Sequence, residues 1–298
     1  MVSAPKPTVL ILEHCPNYLS ELLQTVAAAG FEGLPLSEGH DLTNCQSWPA
    51  HAGVLLGSLD ANLEPNVVLG NLRKASVPVV AITEAPTVKS AFRCCTTRDA
   101  ISLGIQACLP RRNLATDLQR TLTTVLQCSP TPGTLAISYT FDNVPEVLPI
   151  IVSHVRTHLE AWPFSDPMDP VRMTVALSEV LDNALYHGNL ELSSDLRQGD
   201  GRAWREETQR RLRQSPYCDR QIRFEVVIDD RSARFLIRDD GPGFNPHLQS
   251  DCTDEENLER CSGRGLLLMR MYMDEVRFNE TGNEAILVKH HAGGRIDQ

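Results

Sequence analysis

The chain has 298 residues, enough for two domains, and its 42% hydrophobic and 22% charged residues are the balance of a globular protein. Its formal net charge is −10 and only 5% of its residues are aromatic. Proteins that bind nucleic-acid backbones are usually basic or stack bases on aromatic rings. No direct nucleic-acid partner is therefore expected.

Neither a membrane span nor a secretory leader is predicted. The start, MVSAPKPTVLILE, has no basic stretch before a long apolar run, and no run approaches the roughly 18 apolar residues of a membrane span. The nine cysteines are odd in number and form no C-x-x-C pair, which favours reduced thiols over a disulfide framework or a metal site. We expect a cytoplasmic protein that does not associate with membranes.

A linker is predicted near residue 130. Gln127–Gly133 reads QCSPTPG, with two prolines and a glycine between regions of different pattern. The predicted division is a first domain over 1–127, a linker over 128–133 and a second domain over 134–298.

Short apolar runs alternate with helical patterns in the first domain. This alternation predicts a doubly wound parallel sheet of five strands and five helices, a flavodoxin-like α/β fold. The apolar runs that predict strands are 8–13, 53–58, 78–84 and 107–111. The patterns that predict helices are 17–29, 64–74, 88–103 and 114–126.

This pattern resembles the receiver domain of response regulators over most of residues 7–127. The resemblance implies acids after the first strand, where the chain has Glu13 and His14, and a phosphoacceptor aspartate after the third, where it has Gly57. Thr83 and Arg111 stand where a hydroxyl and a lysine are expected. We interpret the domain as a degenerate receiver used for contact or dimerisation, with a phosphorylated receiver as the alternative.

The second domain contains a long helix with polar residues on one edge. Pro170–His187 reads PVRMTVALSEVLDNALYH, and Glu179, Asn183 and His187 are spaced i, i+4 and i+8. A carboxylate, a carboxamide and an imidazole would thus share one edge of the helix. Alone, this pattern fits either a solvated face or a site.

Two glycine motifs follow. Gln221–Ile228 and Ala233–Asp239 alternate as a hairpin, and the second strand ends in DDGPGF, which would place a carboxylate beside a mobile loop. After a polar, acidic stretch, Gly263-Arg264-Gly265 opens the helical run LLLMRMYMDEV, whose first N–H groups could face phosphate. Ala285–Lys289 is predicted to be the final strand.

The three motifs together resemble the Bergerat ATP-binding fold over about residues 134–292. They are E-x-x-x-N-A-x-x-H-G, D-x-G-x-G and G-x-G-L, in that order. This α+β sandwich is shared by gyrase, Hsp90, MutL and histidine kinases, and the form here resembles anti-sigma-factor serine kinases. Histidine kinases fit less well, because His154 and His158 lie in a helix inside the fold.

The resemblance implies a role for each residue of the motifs. Asn183 would ligate the Mg²⁺ ion that bridges the ATP phosphates, and Glu179 would be the general base. Asp239 would accept a hydrogen bond from the adenine amino group. The remaining glycines and the arginine would hinge a lid or surround the phosphates: Gly241 and Gly243 for the lid, and Gly263, Arg264 and Gly265 for the phosphates. His187 is interpreted as structural.

Two departures from that family pattern stand out. Asn283 lies near where a threonine often helps to hold adenine. Glu191–Arg220 lengthens the compact form and is rich in arginine, which fits either a solvated helix face or the docking of an acidic partner.

These features predict an ATP-binding serine/threonine kinase that phosphorylates a small protein. A sigma-factor antagonist or a sigma factor is the expected partner, and a homodimer is a further expectation. The first alternative is a nucleotide-dependent binding module without phosphotransfer. The second is a response regulator controlled by its own phosphorylation.

Overall fold

A computed structural model describes the fold. It describes residues 6–13, 15–36, 53–57, 78–83, 96–102, 104–128, 134–162, 164, 166–197, 201–245 and 264–291. The chain divides into two compact units, Met1–Tyr139 and Thr140–Gln298. Cys128, the first residue of the predicted linker, ends a helix, and 129–133 lie outside the described residues.

The first unit contains a parallel sheet in the order β2-β1-β3-β4-β5. Its strands β3 and β4 and β5 are buried along their whole length, as expected of a parallel sheet covered on both faces. The strands are β1 (Thr8–Leu12), β2 (Glu32–Pro35), β3 (Gly53–Leu56), β4 (Val79–Thr83) and β5 (Ala107–Pro110). The predicted α/β alternation agrees with this sheet.

Three helices of this unit are described: α1 (Pro16–Ala28), α2 (Thr97–Ser102) and α3 (Leu114–Cys128). Apolar residues of α1 and α3 form one core with the strands, including Leu22, Val26, Leu118, Leu122 and Val125. The helix predicted over 64–74, and the first part of the one predicted over 88–103, lie outside the described residues.

Strand β2 does not correspond to any of the apolar runs that predicted strands. Its four residues, EGLP, lack an apolar alternation and include glycine and proline, which are poor strand formers. Pro35 is tolerated because, among the described strands, β2 pairs only with β1 and so presents an edge.

The second unit contains an antiparallel sheet in the order β7-β8-β10-β9. The predicted hairpin is confirmed, and its inward residues Ile222, Phe224, Val226 and Ile228 are fully buried. The strands are β6 (Leu135–Asp142), which crosses the boundary between the units, β7 (Gln221–Ile228), β8 (Ser232–Asp239), β9 (Glu275–Phe278) and β10 (Glu284–His290).

Helix α5 lies between two other helices of the second unit, since it packs against both α4 and α7. The predicted apolar stripe of α5 is buried, with Met173 and Leu177 fully inaccessible. The helices are α4 (Leu148–Leu159), α5 (Asp169–Asp182), α6 (Arg202–Arg211) and α7 (Arg264–Tyr272). Across the described parts of the chain, every helix is too short or too polar to span a bilayer.

Helix α7 ends earlier than its apolar run predicted. The run LLLMRMYMDEV reads as helical through Val276, but the helix ends at Tyr272 and Glu275 begins β9. The N–H of Asp274 donates to the carbonyl of Val288, 2.9 Å away, so pairing with β10 takes over from the helical hydrogen bonds.

The end of α5 departs from α-helical geometry. Asn183–Asn189 forms a π-helical segment, in which the N–H of Leu190 reaches back five residues to the carbonyl of Leu185, at 2.9 Å.

A buried amide holds this segment in place. Asn189 is fully buried; its Oδ1 accepts the N–H of Asp240 at 2.9 Å, and its Nδ2 donates to Asn143 Oδ1 at 2.7 Å. Arg220 Nη1 donates to the Asn189 carbonyl at 2.8 Å. Three separate chain segments, which follow β6, α5 and β8, are therefore joined at one residue.

Replacing Asn189 by alanine is expected to lower the free energy of unfolding by about 2–4 kcal/mol, because a fully buried side chain is lost together with its two hydrogen bonds to Asp240 and Asn143. Urea unfolding measures the change. Asn113→Ala, which removes a half-buried amide bonded to Asp117 in the other unit, is the control and should cost less than about 1 kcal/mol. Equal losses for the two variants would contradict the assignment.

Candidate functional site

A cavity of about 310 Å³ opens in the second unit, beside α5, α7 and the ends of β8 and β10. Five of the residues singled out in the sequence line it: Glu179, Asn183, Asp239, Gly243 and Gly265. The fold thus brings residues that are up to 86 positions apart in the sequence, Glu179 and Gly265, to one cavity. The sequence motifs predicted a shared site, and the structure shows these residues together.

Glu179 and Asn183 meet the start of α7 at one end of the cavity. A Cβ atom added at Gly265 would lie 2.7 Å from Glu179 Oε2 and 3.6 Å from Asn183 Nδ2. The missing side chain lets the first turn of α7 approach both polar groups. Unpaired N–H groups of a first helical turn favour anions, so this end combines a carboxylate, an amide and a helix terminus.

Asp239 defines the other end of the cavity. Its carboxylate lies against the backbone of the π-helical segment, since a Cβ atom at Gly188 would be 2.5 Å from Asp239 Oδ1. The N–H of Gly241 donates to Oδ1 at 2.8 Å. One carboxylate oxygen is thereby fixed by backbone, and the side chain faces the cavity from a defined direction.

Burial changes the protonation of Asp239. The residue is only 8% exposed, and loss of solvation raises its pKa from 3.8 to about 6, with a further upward contribution from the charge of Asp240. Near pH 7 the carboxylate is mostly ionised and can accept hydrogen bonds from a ligand amino group.

The backbone under Asp239 is held by two asparagines. Asn283 Nδ2 donates to the Asp239 carbonyl at 3.0 Å, and Asn283 Oδ1 accepts from Asn279 Nδ2 at 2.8 Å. Asn279 Oδ1 accepts N–H groups of the turn before β10. The amide of Asn283, expected near adenine, is therefore bonded to the protein on both sides.

Gly243 and Gly282 interlock in front of this turn. Both have positive φ, +74° and +77°, and a side chain at Gly243 would collide with the carbonyl of Thr281, as one at Gly282 would with that of Phe244. The two loops can approach this closely only as glycine backbone. Gly243 therefore has a packing role here in addition to the hinge role that the resemblance implies.

The lining of the cavity combines acidic and apolar side chains. Its acids are Glu179, Asp239 and Glu284, and its described lining contains no lysine or arginine. A polyphosphate placed here would need cations. Its apolar lining residues are Val180, Ala184, Ile237, Phe244, Leu266, Met269, Phe278 and Ala285.

The donor set suits Mg²⁺ bound together with phosphate. The Asn183 carboxamide oxygen is a hard oxygen donor of the kind that Mg²⁺ prefers. Among the described residues no group of three or more His, Cys, Asp or Glu could hold a metal by itself. Mg²⁺ commonly binds through one or two protein oxygens plus substrate phosphates and water, and this arrangement fits the residues present.

Three predicted site residues are not among the described residues that line the cavity. Gly241 lies behind Asp239, where a Cβ atom would collide with the carbonyl of Gly188. Gly263 lies outside the described residues. Arg264 begins α7, and its side chain lies outside the description.

Sequence reasoning missed several residues of the cavity. Gly188 stood at the end of the first motif but had no assigned contact with Asp239. Phe244 and Phe278, whose rings meet edge to face with centroids 5.2 Å apart, gave no periodic signal. Ser194 comes from the arginine-rich insertion and reaches the cavity only through tertiary folding.

Three arginines of the insertion pair with the two glutamates of their own helix, α6. Arg202 pairs with Glu206 at 2.7 Å, and Arg211 pairs with Glu207 at 2.5 Å. Arg210 also contacts Glu207, at 2.5 Å. These pairs fit the solvated-face interpretation for those arginines.

In the first unit, the Glu13 carboxylate lies beside Gly57, the position where a receiver domain would have its phosphoacceptor aspartate. A Cβ atom at Gly57 would collide with Glu13 Oε2 and lie 3.1 Å from Glu13 Cδ. Arg111 Nη2 lies 3.4 Å from the same carboxylate, and its guanidinium stacks 4.1 Å from the ring centre of Tyr18. His14 lies outside the described residues.

Residues 145–289 match the family model of the histidine kinase-like ATPase domain. The match covers α4, α5, the cavity and the antiparallel sheet, and it supports ATP binding and ATP-dependent kinase or ATPase activity by this part of the chain. No curated protein sequence matches the chain.

Among solved structures, the chain is similar to the low-resolution structure of the response regulator StyR. The identity is 14%, the match covers 70% of this chain and 90% of that chain, and the TM-score is 0.32. A score at this level does not establish a common fold.

Asp239→Asn is expected to stabilise the unliganded protein at pH 7. A pKa of about 6 instead of 3.8 means that the folded carboxyl holds its proton where the unfolded chain has lost it. The unfolding free energy therefore falls by about 3 kcal/mol in all as the pH rises from below about 3 to above about 7, with most of the fall between about pH 4 and 6. Asparagine does not titrate, so the variant should lack this slope and melt several degrees higher at pH 7. Superimposable melting profiles of parent and variant between pH 4 and 8 would contradict the burial argument.

Gly57→Asp is expected to destabilise the first unit by more than about 2 kcal/mol, because the new carboxylate would meet the buried Glu13. Urea unfolding tests this. The double variant Glu13→Ala/Gly57→Asp should recover part of the loss, since space and charge are both relieved. A stable single variant would show that Glu13 leaves this place readily.

Proposed function

We propose that the chain is an ATP-dependent protein kinase that transfers the γ-phosphoryl group to a serine or threonine of a small partner protein. The observation that carries the proposal is the convergence of Glu179, Asn183 and the start of α7 at one end of a cavity whose other end is Asp239. A partner of the sigma-factor-antagonist type, or a sigma factor, and a cytoplasmic location are parts of the proposal taken from the family resemblance.

The cavity has the polarity that a purine nucleotide needs. Apolar side chains line the space between its ends, and a base could pack there while its amino group donates to the ionised Asp239 carboxylate. Asn279 and Asn283 fix the backbone that carries Asp239, so the acceptor is held before the ligand arrives. Preformed geometry lowers the entropic penalty of binding.

The phosphates would lie at the opposite end. Asn183 would hold Mg²⁺ through its carboxamide oxygen, and the bound ion neutralises phosphate charge. N–H groups of the first turn of α7 would donate to phosphate oxygens. Because the described lining carries no lysine or arginine, affinity for ATP should depend strongly on Mg²⁺.

Glu179 would serve as the general base. Its carboxylate accepts the proton of the acceptor hydroxyl while that oxygen bonds to the γ-phosphorus, and the bond from the γ-phosphorus to the β–γ bridging oxygen breaks to release ADP. The carboxylate lies one helical turn from Asn183, close enough to serve a hydroxyl placed at the same phosphate.

The first unit would supply regulation or dimerisation as a degenerate receiver. The Glu13 carboxylate occupies the space beside Gly57, and this supports a unit that does not take up phosphate there. A homodimer remains part of the proposal.

Glu179→Gln is expected to keep Mg-ATP affinity within about threefold and to lower phosphoryl transfer by roughly 10²–10⁴-fold, the usual contribution of a general base. Asn183→Ala should instead weaken Mg-ATP binding. Calorimetry measures affinity, and label from γ-³²P-ATP in an extract of the source organism, followed by mapping of the modified residue, measures transfer.

Asp182→Asn is the matched control, since it removes a neighbouring carboxylate that does not line the cavity and should leave both readouts unchanged. Equal transfer by Glu179→Gln and parent would remove the assigned base. Saturable ATP binding without transfer by the parent, together with nucleotide-dependent retention of a partner, would identify a binding module.

A further inference from the structure

The cavity has a polar rim that the proposed phosphoryl transfer does not use. His187, on the π-helical segment, and Ser194, on the insertion that follows it, both line the cavity. Neither was assigned a ligand contact by the sequence motifs. Their position follows from the way the insertion folds back on the helix end.

The His187 ring is fixed in one orientation and one tautomer. Its Nδ1 lies 2.6 Å from the carbonyl of Leu192. A carbonyl can only accept, so Nδ1 carries the hydrogen and, in the neutral ring, Nε2 is an acceptor. The Trp204 ring, from α6, packs against the same imidazole with centroids 5.9 Å apart and acts as a positioning residue.

The loop that carries Ser194 is tied to the protein by charged groups. Arg211 Nη1 donates to the carbonyls of Leu190 and Glu191, at 2.7 and 2.8 Å. Arg220 pairs with the Glu191 carboxylate at 2.6 Å. Hydrogen bonds to charged groups are stronger than neutral ones, so the rim is held in place before a ligand binds.

Along the π-helical segment His187 lies between Asn183 and Gly188, the residue that contacts Asp239. Gly188, the neighbour of His187, lies against Asp239, and Asn183 lies about one turn earlier on the same helix. If the base reaches Asp239 and the phosphates reach Asn183, the sugar must lie between them. The His187 imidazole and the Ser194 hydroxyl are polar groups of the cavity lining that are left to contact the sugar.

We propose that His187 Nε2 and Ser194 Oγ bind the ribose hydroxyls and make the site selective for ribonucleotides over deoxyribonucleotides. A ribose hydroxyl donates to Nε2, and Ser194 donates its hydroxyl hydrogen to a ribose oxygen. A deoxy analogue leaves a polar group of the rim without its partner, which is how sites that bind a substrate hydroxyl discriminate. This inference rests on the proposed ATP site, and it assigns the insertion a role in ligand selection.

Calorimetric titration of the full chain with Mg-ATP, Mg-2′-deoxy-ATP and Mg-3′-deoxy-ATP tests the inference. At least one deoxy analogue should bind about three- to tenfold more weakly than ATP, the value of one lost hydrogen bond. Ser194→Ala and His187→Phe should each reduce that ratio toward one. Ser193→Ala, the same change one residue earlier on a hydroxyl bonded to Asp195, should preserve it.

The outcomes separate this inference from the proposed function. A parent that binds ATP but does not distinguish the analogues, or a Ser194→Ala variant that keeps the full ratio, would overturn the ribose contacts and leave the kinase proposal standing. A parent that binds no nucleotide would overturn both.

Tryptophan fluorescence gives a second readout that needs no enzymatic activity. Because Trp204 packs on His187, ATP binding should change the emission of the parent, and the change should be lost in Trp204→Phe. An unchanged response in Trp204→Phe would show that the ligand does not reach this rim.

Discussion

The site in the second unit depends on keeping one carboxylate, that of Asp239, ionised although it is largely removed from water. Asp239 has backbone on both sides, from Gly188 and Gly241, and neither position can carry a side chain without a collision. Burial lifts its pKa to about 6, so the folded protein holds a charge at neutral pH at a loss of stability. The N–H of Gly241 donates to the carboxylate and offsets part of that burial, while Asn283 and Asn189 hold the backbone of Asp239 and Asp240.

The same constraint explains the shape of the surroundings. The amide of Asn189 fixes the start of the loop after β8, and the π-helical segment brings Gly188 against the carboxylate. At the other end of the cavity, Gly265 allows α7 to approach Glu179 and Asn183. Small residues therefore mark the points where separate backbone segments converge, and the polar residues between them face one space. Strained and small residues of this kind cluster where a fold has been shaped for a ligand.

The hairpin and the polar edge of α5 could be predicted because each follows from the spacing of residues that are close together in the sequence. The alternation of Ile222, Phe224, Val226 and Ile228 predicted a hairpin strand with one buried face, and the i, i+4 spacing placed Glu179 and Asn183 on one edge of a helix. Other features depend on contacts between distant segments. Pairing with β10 ends α7 before Val276, and β2 exists because β1 offers an edge, although EGLP is a poor strand sequence. Ser194 and Asn189 gained their positions only from tertiary packing, so no period in the sequence could identify them.

The π-helical end of α5 makes the site sensitive to chain length as well as to composition. A wide turn holds one residue more than an α-helical turn of the same height, so deleting a single residue between Asn183 and Asn189 would let the ordinary helix return. Each residue of an α-helix turns the chain by about 100°. After such a deletion Gly188 would no longer face Asp239, even though every functional side chain had been retained. The site therefore depends on the number of residues in this segment as well as on which residues they are.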